Sequence, residues 1–463
     1  MKESNIYQSP FSWRYGTEEI RHLWSEENKR WLWRKIWLWL AEAQQEFGLV
    51  SRSQVEELKK AVGSVDINQS LAVEAKIKHD LMAEIQVFSS QCPGAGGVIH
   101  LGATSMDVKD NAAALQVKRS LELINQKLEK ILGRFQELIE QYAETRMMAY
   151  THLQPAEPST LGYRLALYAQ DLLAGYQQLT GLEDNIKGKG FTGAVGTSAS
   201  FADLLGSENL PAFEEMMKAK LGLDFFPAVS QTYPRRQDYL VLSALAGTGA
   251  VLYKFAFDLR VLQMPQLGEW SEPFGSEQVG SSAMPFKRNP IQSEKINSLG
   301  RQLAQLPRIA WDNAAHSLLE RTLDDSANRR SILPEGFLIM DELLEVGGKI
   351  LQDMEFFTQG IARNLETYGA FAATERVLMA LGKQGADRQV MHERIRKLSL
   401  EAWAAIQEGG PNPLPELLAA DQAITAYLSP EDVRELMDVS DYVGDAPLRA
   451  RKIAGAIQDE LAQ

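Results

Sequence analysis

The segment GSSAMPFKRNP, Gly280 to Pro290, holds two adjacent serines, a proline and two cations, in a stretch opened by glycines at 275 and 280. Serine is a poor base in water. It becomes useful only where a lysine and backbone dipoles stabilise its alkoxide in a closed, dry site. A loop of this composition is mobile enough to close over a ligand, and Lys287 and Arg288 suit an anion. Alone, the same residues also describe a surface turn with solvated cations, so other segments must decide.

Four do. YTHLQPAEP sets His152 beside Thr151 and ahead of two prolines, a rigid setting for an imidazole. In KHD, His79 lies between the cation Lys78 and the acid Asp80. HLGATSMD offers Thr104 and Ser105 just before a helix start, a pairing that suits an anion. ERTLDDSANRR supplies Arg321, Ser326, Arg329 and Arg330. The set combines anion-binding groups, imidazoles of the kind that exchange protons near neutrality, and a candidate serine base. Other motifs fall away. GKGFTG, Gly188 to Gly193, matches a dinucleotide fingerprint by letter but follows a helical pattern instead of a strand, and reads as a flexible loop. Neither a Walker A nor an H-E-x-x-H pattern occurs, and the six histidines are far apart, so no metal site or cofactor is expected.

Long helices must carry these loops. Leu121, Ile124, Leu128, Ile131, Phe135, Leu138 and Tyr142 step by three and four, as the seam of a coiled-coil-like helix does. No proline interrupts residues 107–150, and a helix of about 40 residues would reach roughly 60 Å. Such a rod buries its seam against several others, within the chain or across subunits. Further helices are expected over 160–186, 237–263, 291–318 and 332–357. Connections are expected over 150–159, 188–200, 265–290 and 322–331. The pattern shortens after Phe357 and differs before Asp107. The expected fold is all-α with three helical domains: 1–108, an elongated central bundle over 109–357, and 358–463.

With 463 residues, 45% hydrophobic and 24% charged, the chain is globular in composition. A net charge of −13 argues against nucleic acid or an anionic membrane as partner, yet leaves room for a small anion met by local cations. The single cysteine, Cys92, excludes an intramolecular disulfide and fits a reducing, cytoplasmic setting. MKESNIYQSPFSWRYG lacks the apolar core of a secretory signal. The apolar run from Trp31 to Leu49 is short and interrupted by Arg34 and Lys35, so a buried helix is expected there.

The loops, in this order and spacing, resemble the adenylosuccinate lyases of the fumarase/aspartase superfamily. The SS-x-MP-x-K-x-NP segment is similar to the superfamily signature. RTLDDSANRR, THLQPA, HLGATS and QTYPRR (Gln231 to Arg236) resemble adenylosuccinate lyases, especially those of animals. The likeness runs from about Tyr7 through nearly the whole chain. It implies elimination of fumarate from succinyl-AMP and from SAICAR, with Ser281 as base, Ser282 beside it, His152 as acid and Glu294 orienting the imidazole. His79 would help hold the substrate's charged groups, within the Lys78–Asp80 triplet. Lys287, Asn289, Thr104, Ser105, Thr151 and Gln231 would hold the succinyl carboxylates. Arg14, Tyr15, Arg321, Ser326 and Arg330 would meet the nucleotide and its phosphate. The resemblance also implies a homotetramer with a core of roughly 20 helices and sites shared between subunits. His100 is expected to buttress the Thr104 loop and Arg329 to make a structural ion pair. Three departures stand out: Phe286 where relatives carry histidine or tyrosine, Lys78 for arginine, and Leu318 and Leu319 for aromatics. The competing readings are another superfamily enzyme, such as an argininosuccinate lyase or a carboxymuconate cycloisomerase, and a non-catalytic homologue.

Overall fold

The computed structural model describes residues 6–275 and 277–462. The first five residues of the N-terminal segment read above lie outside them, as do Ser276 and Gln463. Helices dominate, and the described strands form three two-stranded sheets. The all-α class holds.

The seam residues lie on one helix of 38 residues, Ser105–Tyr142. Leu121, Ile124, Leu128, Ile131, Phe135 and Leu138 are each at most 4% exposed. The seam is thus covered within one chain and does not by itself call for a second copy. Beyond it the expected boundaries shift. Arg146–Thr151 is a strand paired antiparallel with Gln154–Thr160, so the connection after Tyr150 is a β-hairpin. Pro155 and Pro158 cannot continue a helix, and a two-stranded hairpin has free edges that tolerate them. The stretch expected as one helix over 291–318 is two, Ile291–Leu303 and Leu306–Ala315, with a proline in the first turn of the second. The helix expected over 332–357 starts at Asp324, with Asp324 and Asp325 in its first turn, where carboxylates favour the positive end of the helix dipole. Ser326 and Arg330 therefore stand on a helix and not in a loop.

Two compact units divide the chain. The first comprises the residues up to Leu128, Gly175–Ala250 and Ser298–Glu345. Its helix Glu26–Glu46 is capped by the Ser25 hydroxyl, which accepts from the Asn28 amide at 3.1 Å. The helix buries Leu32, Ile36 and Leu40, as expected for the Trp31 region, but also Arg30 and Arg34. Both guanidiniums donate to the fully buried Glu84 carboxylate, at 3.2 and 2.6 Å. Arg30 also reaches Glu74, Arg34 lies over the Phe88 ring, and the Ser70 hydroxyl donates to Glu84. This charged knot ties Glu26–Glu46 to the helix pair Ile67–Ile77 and Asp80–Gln91. Phe191, Phe201, Phe213 and Phe225 pack as a ring cluster elsewhere in the unit.

The second unit comprises Glu129–Ala174, Val251–Asn297 and Val346–Gln463. Its buried Glu269 carboxylate accepts from Tyr150 at 3.0 Å, Arg164 at 2.9 Å and Asn364 at 2.9 Å, fixing the hairpin strand that leads to His152. Val377, Leu381, Ile395, Leu414, Leu418 and Val433 form the apolar centre of its C-terminal helices. Among the described residues one helix, Arg236–Leu262, is long and apolar enough to cross a membrane, and half of that stretch is buried inside the protein, as in a core helix.

Removing one partner from a buried charge cluster leaves the others uncompensated. Glu84→Ala is expected to destabilise the first unit by about 3–5 kcal/mol. Chemical denaturation followed by circular dichroism measures it, and an unchanged midpoint would show that the knot is dispensable.

Candidate active site

A cleft of about 590 Å³ opens in the first unit. Lys78, His79, Asp80, Thr104, Ser105, Gln231, Arg321, Ser326 and Arg330 all line it. These residues come from four separate stretches of sequence.

The turn bearing Lys78, His79 and Asp80 joins two helices. Lys78 ends Ile67–Ile77 in the left-handed region, φ 58°, costly for a residue with a Cβ. His79 caps the next helix, its Nδ1 accepting from the Met82 amide at 3.2 Å, which leaves the neutral ring's proton on Nε2. Asp80 accepts from Lys109 and Arg330. Burial pushes this carboxyl up, but Lys109, the Leu81 amide and Arg330 outweigh it and hold Asp80 below its ordinary range.

Thr104 and Ser105 open the long helix. The Asp107 carboxylate accepts from the Thr104 amide at 2.8 Å and binds the Lys189 ammonium, both side chains being fully buried. Lys189 also donates to the Thr192 hydroxyl and the Gly193 carbonyl. The segment GKGFTG is therefore no flexible loop. Its Gly188, with the preceding Lys187, pairs with Asp224–Phe225, and its buried Lys189 binds the carboxylate that holds the Thr104 amide. His100 Nδ1 accepts from the Trp37 indole at 3.0 Å, and burial, then the nearby His79, lowers its pKa to about 4.

Arg321, Ser326 and Arg330 rest on a buried ionic floor. Arg235 donates to Asp110 at 3.0 Å and to Asp325 at 2.6 Å, and Arg321 reaches Asp325 at 2.8 Å. Burial opposes the Asp325 charge, yet Arg235 and Arg321 bring its pKa below the usual value. Arg329 makes the ion pair expected of it, to Asp238 at 2.7 Å, and also meets the Tyr233 hydroxyl. The Gln231 amide donates to the Glu320 carbonyl at 3.1 Å, joining QTYPRR to the Arg321 turn.

The other expected groups are not among the cleft's lining residues. Arg14 is exposed, 5.7 Å over the Trp13 ring, and Tyr15 packs on Phe11. Thr151, His152, Ser281, Ser282, Lys287, Asn289 and Glu294 belong to the second unit. His152 and Leu153 form the two-residue hairpin turn with φ of 54° and 60°, a geometry that usually takes asparagine and glycine. Both side chains are exposed at the tip.

In the signature segment the Ser281 Oγ accepts from the amides of Ala283 at 3.3 Å and Met284 at 3.1 Å. Asn289 donates to the Gly280 carbonyl at 2.8 Å, and Lys287 and Phe286 are exposed. The buried Glu272 carboxylate accepts from the Gln292 and Ser293 amides, at 3.1 and 2.9 Å, closing the segment's base and capping the helix that carries Glu294. Glu294 itself lies 3.7 Å from Arg260.

Sequence reasoning missed Trp24, Lys29, Trp33 and Lys109, which also line the cleft. Lys109 stands one turn after Ser105 and so shares its helix face, a signal that was there to use. The tryptophans carried no such mark. Among the described residues no group of three His, Cys, Asp or Glu side chains is placed to hold a metal.

A model of the family described as Lyase matches residues 39–304. The fold is that of a solved 3-carboxy-cis,cis-muconate lactonizing enzyme from Pseudomonas putida, with a TM-score of 0.87 at 23% identity over 99% of this chain and 100% of that one. A fumarate lyase from Mesorhizobium sp. BNC1 gives 0.84 at 23% identity over 97% and 99%. The chain is thus a lyase on a helical scaffold shared with those proteins. A second family model, Adenylosuccinate lyase C-terminus, matches residues 370–452. The adenylosuccinate lyase of Saccharomyces cerevisiae is 37% identical over 462 residues, covering 98% of this chain and 95% of its own. That of Schistosoma mansoni is 38% identical over 428 residues, covering 91% and 89%. The chain belongs to the adenylosuccinate lyase family of the fumarase/aspartase superfamily.

A Cβ at Gly280 would fall on the Lys287 carbonyl oxygen. Gly280→Ala is expected to open the signature segment and speed tryptic cleavage after Lys287 and Arg288 by about tenfold, with no change in melting temperature. Unchanged cleavage would mean that this close approach does not hold the segment.

Proposed function

We propose that the chain eliminates fumarate from succinyl-AMP, releasing AMP, and from SAICAR, releasing AICAR. The observation that carries this reading is the first unit's cleft, which gathers nine of the residues assigned to substrate. Ser281 takes a proton from the carbon beside a succinyl carboxylate, and the Ala283 and Met284 amides that already meet its Oγ favour the alkoxide. The C–H electrons pass toward that carboxylate, where Lys287 and Asn289 meet the growing charge. They then form the fumarate double bond as the C–N bond breaks. His152 protonates the departing nitrogen and Glu294 orients the imidazole. Arg321, Ser326 and Arg330 receive the phosphate. Local cations thereby bind an anion on a chain whose net charge is −13.

The reading includes a homotetramer whose sites are completed by loops from other copies of the chain, in keeping with the chain's membership of the adenylosuccinate lyase family. The enzyme would work in the cytoplasm. Ser281→Ala and His152→Ala are each expected to lower kcat by about 10²–10⁴-fold with the assembly intact by light scattering. After subunit exchange, a mixture of the two inactive variants should regain activity. A fully active monomer, or a mixture that stays dead, would contradict shared sites. Near-normal rates in either variant would remove the assigned base or acid.

A further inference from the structure

Lys109 lines the cleft one helical turn beyond Ser105. Its ammonium lies 2.8 Å from each oxygen of the Asp80 carboxylate and 5.7 Å from the centroid of the Trp33 ring. The same carboxylate accepts from the Leu81 amide at 2.7 Å and from Arg330 at 3.1 Å. Asp80 is 11% exposed, so these bonds replace most of its hydration, whereas Arg330 is 58% exposed and Lys109 25%. Of the two cations, Lys109 is the better buried and is mounted on the longest helix in the chain. The turn it grips needs an anchor, because Lys78 holds a left-handed backbone without being glycine.

We propose that Lys109 is a positioning residue, which through Asp80 fixes the His79 imidazole and the Arg330 guanidinium at the spacing the substrate's anionic groups require. The proposal rests on the functional reading above. Asp80 is joined to His79 by the backbone and to Arg330 by an ion pair, so one carboxylate sets both. A lysine with two of its three protons held by Asp80 has one left, and direct contact with the ligand is the competing role.

Full-length K109M keeps an unbranched stem beside Trp33 but removes the charge, and K109R restores a cation. The measurements are kcat and KM on succinyl-AMP, the AMP dissociation constant by calorimetry, and the melting temperature. K109M is expected to raise KM and the AMP dissociation constant about tenfold, with kcat within about threefold, and K109R to recover most of the loss. In a D80N background, K109M should add less than about twofold, since the partner it acts through is gone. An active wild-type enzyme whose KM and AMP affinity are unmoved in K109M overturns the proposal. So does a tenfold loss that persists in D80N, because Lys109 then touches the ligand itself. A wild-type chain inactive on succinyl-AMP overturns the functional reading instead, and the AMP affinities still decide on the clamp. If K109M does not fold, K109Q carries the same comparison.

Discussion

Arg235 sits almost wholly buried between two carboxylates, Asp110 on the long helix and Asp325 in the first turn of Asp324–Asp353. A guanidinium taken out of water costs several kcal/mol, and only close, well-formed pairs offset it. That requirement fixes where three segments meet. The Thr104 end of one helix, the QTYPRR turn and the start of another helix cannot drift apart without stranding a charge. Arg329 with Asp238 and Tyr233 extends the same network. Arg321, which lines the cleft, is held on this floor by Asp325, and Arg330 stands on the helix whose first turn carries that carboxylate.

The acidic composition and the anionic substrate are reconciled by the same logic. Four cations that line the cleft are paired with a carboxylate: Arg321 with Asp325, Arg330 and Lys109 with Asp80, and Lys29 with Glu26. Paired cations remain effective donors to a phosphate when their pairs are held by burial and backbone amides rather than by the ligand. In the second unit the work falls to covalent geometry and hydrogen bonds instead. A strained two-residue turn presents His152, and Glu272 and Gly280 hold the segment around Ser281.

Much of this was legible in the sequence, for physical reasons. The 3.6-residue period of Leu121 to Leu138 predicts a long helix because burial demands that spacing. The loops that carry chemistry stood out because glycine, proline and charge cluster where a helix cannot run. Where tertiary contacts decide, the pattern was silent. GKGFTG looked like a flexible loop until Lys189 was found buried against Asp107. Ser326 and Arg330 looked like loop residues, although Asp324 and Asp325 carry a helix-start signature that could have placed them. The seam called for cover within the chain or across subunits, and contacts within one chain supply it from Leu121 to Leu138. Trp33 and Lys29 gave no sign of lining a cleft, because nothing local distinguishes them from ordinary helix residues.

The ultraviolet absorbance of succinyl-AMP, followed after adding the wild-type chain alongside a matched sample of argininosuccinate, tests the reading most directly. The account predicts a rapid change with succinyl-AMP and none with argininosuccinate, with fumarate and AMP formed in equal amounts. No change with succinyl-AMP, or turnover of argininosuccinate in its place, would contradict it.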